Sequence, residues 1–104
     1  MDRALTDAEQ RIVEVIEMLG EGEVVSYGDI AHDAGLPRAA RLVGRVCATV
    51  EGLPWWRVVN SVGRLVPGNE IEQTRLLQLE GVRVVGNKVR TARFTGSGAR
   101  SNRR

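Results

Sequence analysis

Pro37-Arg38-Ala39-Ala40-Arg41-Leu42-Val43-Gly44-Arg45-Val46-Cys47-Ala48-Thr49-Val50 is the stretch on which the reading of this chain turns. Proline at a first helical position has no N–H to leave unpaired, so the segment is predicted to be a helix from Pro37 to about Val50. At helical spacing Arg38, Arg41 and Arg45 share one stripe, and Leu42, Val43, Val46 and Val50 take the opposite side. Ala40, Gly44 and Ala48 lie between, with nothing larger than a methyl group. Such a helix is apolar behind, basic in front and small along its flank. It suits close approach to a polyanion, duplex DNA above all.

The segments on either side extend the pattern. Ser26-x-x-Asp29 is a capping box that opens a brief helix to about Ala34, and Gly35-Leu36 is a tight turn with glycine suited to a left-handed conformation. Short helix, glycine turn and basic helix together have the outline of a helix-turn-helix. Upstream, Thr6-x-x-Glu9 is another capping box, and Ile12, Val13, Ile16 and Leu19 predict a helix from Asp7 to Leu19, with Met18 a candidate for the core. Downstream, valines flanking Asn60-Ser61-Val62-Gly63 predict two short strands and a turn, the wing of a winged helix. Asn69-x-x-Glu72 predicts a capped helix with Ile71, Leu76, Leu77 and Leu79 as its apolar residues and an end at Gly81. Val82 to Val85, Gly86-Asn87 and Lys88-Val89-Arg90 predict a terminal hairpin. The expected fold is mainly α with small β elements, a winged helix-turn-helix domain over residues 1–90. The tail, 91–104, carries Arg93, Arg100, Arg103 and Arg104 without an acid, and is expected to be disordered and to add non-specific phosphate affinity.

Bulk properties narrow the classes. The 104 residues suit one small domain, and the net charge is only +2. Its placement is uneven. Before Ser26 the acids Asp2, Asp7, Glu9, Glu14, Glu17, Glu21 and Glu23 face only Arg3 and Arg11, whereas from Arg38 to Arg64 five arginines face Glu51 alone. That reads as one nucleic-acid face on an otherwise acidic body. One cysteine and one histidine exclude an internal disulfide and leave zinc too few soft ligands, so no metal or cofactor is expected. No stretch reads as a signal peptide or membrane span, so the expectation is a cytoplasmic, nucleoid-associated chain without a membrane partner.

Ser26-Tyr27-Gly28-Asp29-Ile30-Ala31, then Gly35-Leu36-Pro37-Arg38-Ala39-Ala40-Arg41-Leu42-Val43-Gly44, then Pro54-x-x-Arg57-Val58-Val59, and finally Leu76-Leu77-Gln78-Leu79-Glu80-Gly81 follow one another in order. Over roughly Thr6 to Val85 this resembles the DNA-binding domain of alkylguanine-DNA alkyltransferases. One departure is specific. Where the family's Pro-x-x-Arg-Val motif holds cysteine then histidine, this chain has Trp55 and Trp56. Suicide alkyl transfer needs a thiolate made by a neighbouring base, and indole supplies neither. Glu80 matches the acid that orients the histidine, and on this reading has nothing left to orient. The segment from Gly44 to Pro54 is also shorter than in the enzymes. The chain therefore resembles the alkyltransferase-like branch, in which tryptophan stands in the cysteine position.

That resemblance implies a non-enzymatic protein that binds alkylated guanine in double-stranded DNA through the minor groove and flips the nucleotide. It further implies a flag to nucleotide excision repair proteins and a monomeric state. Arg41 becomes the finger that fills the vacated stack, its planar cation suited to the orphaned base. Ala39 and Ala40 let the helix backbone approach the sugars, and Tyr27 crowds the target phosphate. Ser26 and Ser61 are candidate phosphate donors, with Arg38 and Arg45 as counter-charge. The flipped-base pocket is assigned to Tyr27, Trp55, Trp56 and Val58, with backbone groups near Trp55 and Val58 reading the guanine edge. Trp56 either lines that pocket or fills the core, and Arg57 either meets DNA or pairs with Glu80 or another acid. Gly44 is read as a close-packing residue. Two rivals stand beside this reading. One is a sequence-specific helix-turn-helix regulator of transcription, though the helix lacks Asn or Gln to read adenine. The other is an alkyltransferase using Cys47, which on residue pattern alone is a buried, unactivated thiol.

Overall fold

In the computed structural model, which describes residues 4–90, the first helix begins at its capping box. The Glu9 N–H donates to the Thr6 hydroxyl at 3.1 Å, and the Thr6 N–H donates to the Glu9 carboxylate at 2.9 Å. α1 (Asp7–Glu17) buries Ile12, Val13 and Ile16. It stops sooner than its apolar spacing predicts, and Met18, 76% exposed, is its C-cap rather than a core residue. At about 100° per residue Met18 points away from the Ile12–Ile16 stripe, which explains its exposure.

β1 (Val25–Ser26) runs straight into α2 (Tyr27–Asp33), and Ser26 is both strand end and N-cap. Its hydroxyl accepts from the Asp29 N–H at 3.0 Å. α2 closes in a Schellman motif: the Leu36 N–H donates to the Ala31 carbonyl at 2.8 Å and the Gly35 N–H to the His32 carbonyl at 3.0 Å. That geometry puts Gly35 at φ 78°, where a side chain would be strained.

The basic helix starts later than its sequence predicts. The Ala39 N–H donates to the Leu36 carbonyl at 2.9 Å, so Pro37 occupies the second position of a β-turn, where its fixed φ is equally suited. α3 is Ala40–Thr49. Arg38 therefore belongs to the turn, while Arg41 and Arg45 remain a helical turn apart. The single stripe of arginines becomes two on the helix and one ahead of it.

β2 (Val58–Val59) pairs in parallel with β1, Val25 opposite Val58 and Ser26 opposite Val59. Alternation along the strands splits the core in two. Val25 and Val58 join Ile12, Ile16, Ile30, Val43 and Val46 among the first three helices, whereas Val24 and Val59 join Leu65, Leu77, Val82 and Val89. This corrects the expected wing at Asn60–Gly63. Val58 and Val59 are both fully buried, as suits a parallel strand covered on both faces, and they do not fold back on residues 64–66. The Asn60 side chain instead accepts from the Val62 and Arg64 N–H groups at 3.0 and 2.8 Å, closing a local loop. The antiparallel hairpin is the terminal one. β3 (Val84–Val85) pairs with β4 (Lys88–Val89) across Gly86 and Asn87, whose φ values of 59° and 61° fit a type I′ turn, and Arg64 bridges to Lys88.

α4 (Glu70–Leu79) follows Asn69, but the Asn69 side chain makes no cap bond. Its buried residues are Gln73 and Leu77; Ile71 and Leu79, read as apolar packing residues, are 89% and 71% exposed. The helix ends at Gly81, φ 82°, in a further Schellman motif. Among the described residues no helix is long and apolar enough to cross a membrane. The basic tail lies outside the described residues.

Candidate nucleic-acid interface and base pocket

Arg38, Arg41 and Arg45 are exposed, and none of their side chains has a hydrogen bond or ion pair among the described residues. Ala40 is exposed beside them, while Ala39 is partly buried against the core. Ala39 is the N-cap of α3 and offers no side-chain bond, so the first N–H groups of this helix have no capping side chain. A helix start of that kind, flanked by cations, favours an anion. Ser61 is exposed in the Asn60 loop. Ser26 is not available in the same way. It is 0% exposed and its hydroxyl is engaged as the α2 cap, which corrects its assignment as a phosphate donor.

A cavity of about 500 Å³ opens beside α3. Its walls include Tyr27, Gly44, Cys47 and Ala48, then Thr49 to Gly52, then Trp55, Val66 and Asn69. Its volume falls in the range of small-molecule pockets. A Cβ built on Gly44 would sit 3.9 Å from Tyr27 Cε1, an ordinary contact, so helix packing does not demand glycine there. What glycine leaves open is cavity space. Burial raises the Tyr27 phenol pKa, with a further contribution from Cys47. Burial also pushes the Cys47 thiol up to about 12, which keeps it protonated at neutral pH. Of the assigned pocket residues, Tyr27 and Trp55 meet in this cavity. Trp56 and Val58 are not in its lining, and Val58 is 0% exposed because both faces of β2 are covered.

The tryptophans sit on a single 3₁₀ turn, Trp55–Arg57, leading into β2. Their rings meet edge to face, 6.2 Å between centroids and 86° between planes. Trp55 turns toward the cavity, whereas Trp56 packs against the second cluster, with its indole N–H donating to Glu80 Oε2 at 2.8 Å. Arg57 Nη2 donates to the same oxygen at 2.6 Å and Arg57 Nε to Oε1 at 3.0 Å; the Gly22 N–H donates to Oε1 at 2.8 Å. Arg57 Nη1 also donates to the Leu19 carbonyl at 2.8 Å, and its guanidinium lies 5.5 Å from the Trp56 ring centre. Glu80 is therefore far from idle, which corrects the reading that it has nothing left to orient. An indole N–H serves as its donor, and Arg57 is its ion-pair partner. Burial alone would raise the Glu80 pKa, but the hydrogen bonds from Arg57, Gly22 and Trp56 and the Arg57 charge outweigh it and hold the value below 4.5.

Gln73 completes the support, and sequence reading missed it. It is 0% exposed, donating from Nε2 to the carbonyls of Trp56 at 3.1 Å and Val58 at 3.2 Å. Its Oε1 accepts from the Val66 N–H at 2.8 Å. A glutamine on a helix ordinarily reads as surface; the available signal was its place one turn before Leu77. Replacing it strands three backbone groups. Gln73→Leu is expected to lower the unfolding free energy by about 2–4 kcal/mol, measured by urea denaturation. An unchanged midpoint would show that these bonds do not hold the tryptophan turn.

Parallel β1–β2, the two helices after β1 and the cavity behind the second of them define a helix-turn-helix DNA-binding domain. The chain belongs to the family of the 6-O-methylguanine DNA methyltransferase DNA-binding domain, which it matches over residues 7–82. Among similar proteins, the DNA base-flipping protein of Escherichia coli is 45% identical over 83 residues, covering 75% of this chain and 64% of that one. This chain therefore spans less than two thirds of that relative. Alkyltransferase-like protein 1 of Schizosaccharomyces pombe is 36% identical over 70 residues, covering 61% and 65%. A crystal structure of that yeast protein with damaged DNA containing O6-carboxymethylguanine superposes with a TM-score of 0.72 at 28% identity, over 80% of this chain and 83% of that one. The O6-methylguanine methyltransferase of Mycobacterium tuberculosis superposes at 0.65 with 34% identity, over 82% and 55%.

Proposed function

We propose that this chain is a non-catalytic sensor of alkylated guanine: it enters the minor groove of duplex DNA, extrudes the damaged nucleotide and holds it reversibly in the cavity beside α3. The observation that carries this reading is the pairing of Trp55 in the cavity wall with Trp56 locked on Glu80. A pocket is retained while both the nucleophile and its base are replaced by indole. Family membership and relatives named for base flipping support the same reading. Extrusion costs a few kcal/mol and is easiest for a poorly paired, damaged base, so binding itself selects lesions. Arg41 takes the vacated place in the stack, and Arg38 and Arg45 hold the flanking phosphates. Tyr27, in the cavity wall, steers the target nucleotide. We further propose that the chain acts as a monomer in the cytoplasm, at the nucleoid, and that the complex passes the lesion to nucleotide excision repair proteins.

The deciding experiment compares Kd for one duplex bearing guanine or O6-methylguanine at fixed salt, with intact mass recorded after incubation. Tighter binding of the lesion with no mass change is expected. Equal affinities would leave a helix-turn-helix regulator as the better account. A methyl adduct on Cys47 would make the chain an enzyme, against the protonated state of that thiol.

A further inference from the structure

We propose that Glu51 makes the pocket selective for the charge of the alkyl arm, admitting neutral and cationic arms and disfavouring anionic ones. This rests on the reading of the cavity as a lesion pocket and adds the class of lesion it takes. Among the described residues that line the cavity, Glu51 is the one with a charged side chain. The others nearest it in sequence are neutral, Thr49, Val50 and Gly52, and the lining residues Trp55, Val66 and Asn69 bring no cation. Glu51 is exposed, and among the described residues its carboxylate has no hydrogen bond or ion pair. It is also the lone acid between Arg38 and Arg64, on the side of the chain that must meet a polyanion. There it opposes phosphate binding, so its place in the cavity wall acts on the ligand within. Apolar walls such as Trp55 and Val66 lower the local dielectric and strengthen the effect of an unpaired charge.

The test uses one duplex at fixed ionic strength carrying guanine, O6-methylguanine, O6-carboxymethylguanine, its uncharged isostere O6-carbamoylmethylguanine, or O6-(2-aminoethyl)guanine. Fluorescence anisotropy gives each Kd. The carboxylate arm is expected to bind about tenfold more weakly than the amide, the order for like charges about a nanometre apart near a protein surface with partial screening by salt. The aminoethyl arm should bind at least as tightly as the amide, and Glu51→Gln should bring the acid-to-amide ratio close to one. Equal binding of acid and amide, with lesions still preferred over guanine, would overturn the inference alone. So would a Glu51→Gln effect of one factor on every duplex, which would place the charge against phosphate. Equal binding of guanine and O6-methylguanine would instead remove the lesion pocket on which the inference stands.

Discussion

Arg41→Ala should bring the affinities for guanine and O6-methylguanine duplexes together, while binding to both survives and remains salt-sensitive. Arg41 sits one residue inside the start of α3, exposed and, among the described residues, without a partner. A side chain free of intramolecular bonds can enter the base stack without breaking anything in the fold. On the proposed finger role, its removal deletes the group that would replace the extruded nucleotide, so the open stack would be left unfilled. The penalty falls only on the flipped complex. The non-specific contact proposed for Arg38, Arg45 and the α3 N-terminus should be retained, and the slope of log K against log salt should fall by about one charge. Arg41→Lys is expected to lose lesion preference much as the alanine variant does, because an ammonium neither stacks nor presents a planar fork, but to keep the parent's salt slope because it keeps the charge. Titration of both duplexes at several salt concentrations checks this, and a persistent lesion preference in Arg41→Ala would withdraw the finger role.

Glu80→Ala should cost about 3–5 kcal/mol of folding stability, the largest loss expected from a single carboxylate here. The Arg57 and Glu80 side chains are only 15% and 10% exposed. Without Glu80, the Arg57 charge, the Trp56 indole N–H and the Gly22 N–H all lose their acceptor in a largely dry site. Urea denaturation at neutral pH measures the loss, and a cost under about 1 kcal/mol would class the cluster with ordinary surface ion pairs. The same group has a pH signature. Because its folded pKa is depressed, the unfolded chain binds this proton more readily. Its contribution is therefore fully present above the unfolded value near 4.5 and is lost as the pH falls through the lower folded value. In Glu80→Gln the acid-side loss of stability should be shallower than in the parent.

These two residues differ in how visible they are beforehand. Arg41 stands out because the features around it are local: the capped helix before it, the glycine turn and the small residues on its own helix. Glu80 lies just before the glycine that ends α4, yet its partners are 23, 24 and 58 residues away. No spacing rule could pair it with Gly22. Gln73 was hidden for the same reason, since the carbonyls it satisfies belong to a turn some fifteen residues earlier. The misplaced start of α3 has a different cause. Proline is as well suited to the second position of a β-turn as to the first turn of a helix, and the Schellman closure of α2 at Leu36 decided between them.

The amino-acid sequence by itself determined the elements whose hydrogen bonds close within a few residues. These are the capping boxes at Thr6 and Ser26, the glycine-ended helices, the type I′ hairpin and the arginines around the start of α3. It also determined that two tryptophans, Trp55 and Trp56, stand between Pro54 and Arg57. Only the tertiary structure decided that Val58–Val59 pairs in parallel with Val25–Ser26 instead of forming a wing, and that the two tryptophans part, one toward the cavity and one onto Glu80. Those outcomes depend on which distant groups share a buried volume. Burial demands a partner for every polar group and a neighbour for every apolar one, and such a demand is met only once the whole chain has packed.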